Sequence, residues 1–364
     1  MSPTVAAIDV TIGATTDAVS VTDAQAGIWF GQQLVGDSPV FGVAHAWELR
    51  GPVDVALLVE SVSVALGEAE GLSARFGVVD GVVVQWVGAH DVSGVSVVDF
   101  SGADDGVGAA WEWMRGRCAV VIDPAVDACV SASVVVIGVE HVVVFVRGHH
   151  IVVDAFGLGL VERRAAEVYS ARVCGGVVRG RWFGSLVSVV EEDRGYPGSE
   201  RCGVDRGFWV GELAGAPEPL SLAATEGTPG PAARRDTVSA RLDADTVARL
   251  GALGRESGGG WAEALTAAIA ASAAGAAGAG EVVLGFPLMN RFGTAALAVP
   301  TTTVNIAPLR VRTAPGATAD DLVAEVAGAI GRVRVHGRYR GEWISREIRS
   351  GSAGTNGIRL NLKP

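Results

Sequence analysis

Two kinds of hydrophobic pattern alternate along the chain. Runs of β-branched residues such as Val142 to Val146 predict buried strands, and the stretch from Val134 to Val146 reads as two strands around Gly138. Elsewhere apolar residues recur every three or four positions, as one face of a helix requires. Leu158, Val161, Ala165 and Val168 predict a helix over 158–172, stopped at Cys174-Gly175-Gly176. Leu57, Leu58, Val62, Ala65 and Leu66 predict another behind an Asp54 cap, and Thr22 with Gln25 has the form of a capping box opening a helix towards Leu34. Leu72 to Trp86 reads as a hairpin turning at Asp80-Gly81, and Trp111 to Cys118 as a short helix closed by Asp123-Pro124. In the second half, helices are predicted from Asp243 to Leu253, over 261–274 and from Thr318, where Asp320 and Asp321 open the helix and Arg332 and Arg334 close it, as its dipole favours. A strand is predicted over Val282 to Phe286, and residues 1–20 read as a loose lead-in.

The length of 364 residues exceeds what one ordinary core organises, so two domains are expected. Prolines at 197, 217, 219, 229 and 231 mark 177–235 as an irregular linker, leaving 1–176 and 236–364 as the two structured parts. With 49% hydrophobic and 19% charged residues the chain is globular, and helix and strand together give an α/β (α+β) class. A net charge of -11 argues against a nucleic-acid partner and against an anionic membrane surface. The first basic residue is Arg50, so no secretory signal is expected, and the alanine- and glycine-rich stretch 264–280 predicts a buried helix rather than a membrane span. Four cysteines without CxxC spacing read as reduced thiols in a cytoplasmic protein. The sole lysine, Lys363, removes Schiff-base and P-loop chemistry from consideration.

Candidate chemistry concentrates where the strand ending near Val146 meets the helix beginning near Leu158, at Arg147-Gly148-His149-His150-Ile151-Val152-Val153-Asp154-Ala155-Phe156-Gly157. A buried strand holds such a junction rigidly while its end stays open. Adjacent side chains on a strand point to opposite faces, so His149 and His150 cannot both meet a substrate. The same geometry speaks against a metal site built from His141, His149, His150 and Asp154, and no metal is expected. Asp154 has the position of a helix N-cap. No G-x-S-x-G elbow of a serine hydrolase is present.

The stretch resembles the HHxxxDG signature of the condensation domains of nonribosomal peptide synthetases, a family that shares its fold with chloramphenicol acetyltransferase. Other segments resemble the family's landmarks in order. They are Thr22 to Trp29, Ala74-Arg75-Phe76-Gly77, Phe208-Trp209, Pro287 to Arg291, Pro300 to Arg310 and His336 to Arg340, with Ile358 to Leu362 as a late strand. The resemblance implies two acyltransferase-like lobes in a V around a central channel, with a second lobe short at its C-terminus. It implies amide formation between a carrier-bound acyl or peptidyl thioester and a carrier-bound aminoacyl amine.

By the same resemblance His150 is the catalytic residue. His149 supports the motif, Asp154 pairs with Arg291 from the second lobe, and Ala155, Gly157 and Asn305 are channel candidates. No cofactor is bound directly. Phosphopantetheine arms arrive on donor and acceptor carrier proteins, with adenylation domains in cis or in trans. Ala155 stands where the signature has glycine, and a methyl there would crowd a narrow channel or forbid a positive φ. That departure and the short C-terminus bear on activity. They motivate two alternatives: a non-catalytic docking module, and a stand-alone O-acyltransferase using coenzyme A or a carrier.

Overall fold

The structure, a computed structural model, describes residues 18–178, 180–218, 238–348 and 357–362. These fall into two compact units. The first runs up to Gly195 and takes in Arg291–Thr303; the second runs from Tyr196 to Asn290 and resumes at Val304.

The first unit opens with β1 (Val19–Ser20) and α1 (Asp23–Val35), followed by β2 (Gly42–Arg50) and α2 (Val55–Glu68). The capping box expected at Thr22 is present. Thr22 Oγ1 accepts from Gln25 N at 3.2 Å, and Thr22 N donates to Gln25 Oε1 at 2.9 Å. Next come β3 (Arg75–Val79) and β4 (Val82–Trp86), joined by Asp80 and Gly81 at φ 50° and 79°. Two consecutive positive φ values are what a two-residue hairpin needs, which explains Asp-Gly at the turn. Residues 19 and 20, expected to be loose, pair with β4, so this small sheet has the order β1-β4-β3.

Then follow β5 (Val95–Asp99), α3 (Gly106–Cys118), β6 (Val130–Gly138), β7 (His141–His149), α4 (Ala155–Val173) and α5 (Leu186–Gly195). The main sheet has the order β2-β7-β6-β5, with β7 antiparallel to both neighbours and β5 parallel to β6. Every residue of β7 is buried. Val142, Val144 and Val146 enter the core with Leu58, Val62, Leu158 and Val161 of α2 and α4, while Val143 and Phe145 pack with Ala110 and Met114 of α3. Cover on both faces explains why this strand reads as an unbroken apolar run rather than an alternation. Each fully buried Val or Leu here contributes about 1.5–3 kcal/mol. Arg164 of α4, wholly buried, binds Glu68 of α2 in a fork at 2.9 and 2.7 Å and ties the two helices together.

The second unit contains α6 (Glu200–Glu212), α7 (Ala244–Glu256), α8 (Trp261–Ala277), the antiparallel pair β8 (Glu281–Leu288) and β9 (Asn305–Arg312), α9 (Ala319–Val335) and α10 (Gly341–Ile348). Ala264, Ala267, Ala270, Ala273 and Ala274 of α8 are buried, so the alanine-rich stretch is the small-residue helix expected. Its core gathers Leu284, Leu309, Val311, Val326, Ile330 and Trp209.

The structure differs from the sequence reading at the linker. Within 177–235, α5 and α6 are regular helices, anchored by the buried residues Leu186, Val189 and Val190, and Cys202 and Trp209. Their spacing is helical, but nearby prolines masked it. Of those prolines, Pro219, Pro229 and Pro231 lie outside the described residues. Ile358 to Leu362, expected as a strand, makes a single parallel bridge between Arg359 and Gly285 of β8. No helix of the described residues is long and apolar enough to cross a membrane.

Candidate functional site

The two histidines fall in different surroundings, His149 ending β7 and His150 lying in the turn that follows. His149 is the last residue of β7, only 2% exposed, and its backbone N–H donates to Cys129 O at 2.8 Å. Its Nδ1 accepts from Ile151 N at 3.1 Å, which leaves the ring proton on Nε2, facing Gln32 Oε1 of α1 at 3.2 Å. Gln32 in turn donates to Gly36 O and Ser38 O, so the ring is locked to the end of α1. Burial, reinforced by the neighbouring His150, pushes the His149 pKa down to about 4. This imidazole is neutral at pH 7 and has both nitrogens committed.

His150 lies one residue past the strand, in a turn, and is only partly buried. Its backbone N–H donates to Phe41 O at 2.7 Å, which fixes the main chain. Its Nδ1 stands 3.5 Å from Thr302 Oγ1. Of the pair, His150 keeps the ring nitrogen Nε2 without a protein partner among the described residues.

Asp154 and Arg291 meet, as the motif resemblance implied. Arg291 Nη2 donates to Asp154 Oδ1 at 2.8 Å, with the arginine wholly buried and the aspartate 5% exposed. The arrangement departs from expectation in one respect. Arg291 belongs to the first unit, in the segment Arg291–Thr303, rather than to the second lobe. Its Nη1 donates to Ala296 O and to Val299 O, and its Nη2 also reaches Thr301 O at 2.6 Å, so the guanidinium organises that segment from within. The ring of Phe156 lies 4.9 Å from the guanidinium carbon. Asp154 is at the same time the N-cap of α4, since Oδ1 accepts from Gly157 N at 2.8 Å and Oδ2 accepts from Thr303 N at 3.1 Å. One carboxylate therefore joins a helix start, a buried cation and a crossing segment.

Ala155 is exposed at the first position of α4, and its φ is not positive. The backbone there suits any residue, so the alanine brings no conformational penalty. Gly157 is buried where the segment passes closest to the helix. A Cβ on it would fall 2.8 Å from Val153 Cγ2 and 3.1 Å from Thr301 O. Asn305, in the second unit, spends its amide on the backbone: Nδ2 donates to Gly337 O at 2.8 Å and Tyr339 O at 2.9 Å, and Oδ1 accepts from Gly341 N at 2.9 Å. That pattern ties β9 to the turn before α10. His141 sits at the far end of β7, 2.6 Å from Glu48, away from the other histidines. Gln32 and Thr302 were missed by sequence reasoning. A glutamine within a helix and the middle threonine of Thr301-Thr302-Thr303 carry no signal until the fold brings each to a histidine.

The family model described as Condensation domain matches residues 15–357. The chain belongs to the condensation-domain family. It is thus related to the amide-forming acyltransferase domains of nonribosomal peptide synthetases, and its mixed helix and sheet fold is theirs. The chain is 35% identical over 350 residues to a dimodular nonribosomal peptide synthase of Bacillus subtilis (strain 168), covering 95% of this chain and 14% of that protein. It is 34% identical over 369 residues to an isonitrile lipopeptide synthase of Streptomyces coeruleorubidus, covering 100% of this chain and 25% of that protein. The condensation domain thus spans a quarter or less of these two relatives. Among solved structures, the first condensation domain of the calcium-dependent antibiotic synthetase superposes with a TM-score of 0.85 at 28% identity, covering 96% of this chain and 82% of that one. VibH, a condensation enzyme of nonribosomal peptide synthesis, gives 0.78 at 26% identity, with 94% and 79% covered.

Proposed function

We propose that this condensation domain joins a carrier-bound acyl or peptidyl thioester to a carrier-bound aminoacyl amine, with His150 at the reacting centre. The amine nitrogen attacks the thioester carbonyl carbon, the tetrahedral intermediate collapses with loss of the C–S bond, and an amide and a thiol remain. The amine gives up one proton in the exchange and the departing sulfur gains one. A neutral imidazole with a lone pair on Nε2 can take the first proton and return it to the sulfur. Both substrates would arrive on phosphopantetheine arms of carrier proteins, loaded by adenylation domains in cis or in trans in the cytoplasm. The chain itself would bind no cofactor.

The observation that carries this reading is the division of labour between the two histidines. His149 is buried, neutral and bonded at both nitrogens, whereas His150 is partly exposed and holds only a long contact at Nδ1. The alternative of a non-catalytic docking module rests on Ala155 and the short C-terminus, and of these the backbone at Ala155 has an ordinary, negative φ.

The test is a reconstitution with two loaded carrier proteins. His150→Ala is expected to lower product formation by at least 100-fold, in the range a positioned acid–base group supplies, with an unchanged melting curve. Wild-type turnover by the alanine variant would remove the assigned role. Turnover with free acyl-coenzyme A and an alcohol, but none with carriers, would instead favour an O-acyltransferase.

A further inference from the structure

Thr302 is completely buried, and among the described residues its hydroxyl has a single partner, Nδ1 of His150, at 3.5 Å. Its backbone is pinned on both sides. On one side Thr301 O accepts from Arg291 Nη2 at 2.6 Å and from Asp154 N at 3.4 Å; on the other Thr303 N donates to Asp154 Oδ2 at 3.1 Å. Gly157 lets this segment lie against the start of α4, because any side chain there would push Thr301 away. The buried Asp154–Arg291 pair thus makes three hydrogen bonds to the backbone of residues 301 and 303, and the residue between these two pinned ones faces the candidate catalytic ring.

We infer that Thr302 is a positioning residue for His150: it holds the imidazole by Nδ1, so that Nε2 is the nitrogen presented to substrate. This deepens the reading proposed above and rests on it. A hydroxyl is suited to the task because it both donates and accepts. It can accept from Nδ1–H when Nε2 is bare or when the ring carries a proton on each nitrogen, and it can donate to Nδ1 when the proton sits on Nε2. A main-chain carbonyl would hold only the forms with Nδ1 protonated. Contacts of this kind are often long in a free enzyme and tighten when substrate is bound. On this account the motif aspartate acts through three links: Asp154 with Arg291, the 301–303 segment, and Thr302 Oγ1.

Thr302→Val keeps the shape and removes the hydroxyl, and Thr302→Ser restores it. In the two-carrier assay Thr302→Val is expected to lower kcat about 10-fold with KM for the acceptor carrier within about twofold, and Thr302→Ser to return kcat to within about threefold of wild type. Without substrate, the ¹⁵N signals of the His150 ring should report a changed tautomer balance in the valine variant and not in the serine variant. Melting curves of all three proteins, with Thr302→Ala as a second truncation, separate loss of fold from loss of alignment. Unchanged kcat in folded Thr302→Val overturns the inference, as does loss of kcat in Thr302→Ser equal to that in Thr302→Val. His150→Ala run alongside keeps the two readings apart. Full activity in it removes the catalytic role itself, whereas an inactive His150→Ala beside a fully active Thr302→Val removes only the role of Thr302.

Discussion

His149 shows how a single buried ring turns position into pH dependence. Its pKa falls from the ordinary 6.5 to about 4 because burial removes the water that would solvate the imidazolium. Between those values the unfolded chain binds a proton that the native ring refuses, so stability rises with pH across the interval. The contribution is complete above pH 6.5, is lost as the pH falls towards 4, and amounts to about 3 kcal/mol. His149→Gln removes the titration. Chemical denaturation at a series of pH values should show a gap between wild type and variant that is widest above pH 6.5 and about 3 kcal/mol narrower at pH 4. A gap that stays constant with pH would mean that the ring is hydrated in the native state. His150, one position further on, lies just past the strand and is only partly buried.

At the scale of elements, the start of α4 carries two glycines with opposite consequences. Gly157 lies against Val153 and the Thr301 backbone, whereas an added Cβ at Gly159 meets nothing within 4 Å. Both sit in a helix, where alanine is intrinsically favoured over glycine by about 1 kcal/mol. Gly159→Ala is therefore expected to be neutral or stabilising by up to about 1 kcal/mol. Gly157→Ala should cost about 1–3 kcal/mol, since the backbone of residue 301 must move. Denaturant midpoints of the pair read the difference directly, and equal effects would show that the segment does not press on the helix. Such a contact was not legible in the sequence. What was legible depends on local pattern: the valine run of β7, the apolar stripe of α4, the Asp80-Gly81 turn, the Thr22 box and the Thr318 helix start, each complete within a few residues. The histidine motif and the Asp154–Arg291 pair were reachable only because family landmarks recur in order. Gln25 with Gln85, Gln32 with His149 and Thr302 with His150 are partners 60, 117 and 152 positions apart, so nothing in the neighbouring residues marks them.

At the scale of the whole molecule, sequence halves and compact units do not coincide. The chain leaves the second unit after Asn290, crosses the first as Arg291–Thr303, and returns to pair β9 with β8. A wholly buried arginine, 137 residues after its aspartate, is thus part of the first unit's interior. Removing one partner of such a pair strands a charge without water, which typically costs 3–5 kcal/mol, whereas removing both costs less than the sum because no charge is left behind. Arg291→Met should destabilise the protein by about 3–5 kcal/mol, and Asp154→Asn combined with Arg291→Met by less than the two single losses together. The location of the damage is the sharper test. Hydrogen exchange should quicken in α4 and at the end of β7, although the substitution lies far along the chain from both, while β8, whose last residue is only three positions before Arg291, keeps its protection. Faster exchange confined to β8 and β9 would mean that the arginine serves the unit its sequence position suggests, and the link from Asp154 through Thr302 to His150 would lose its anchor.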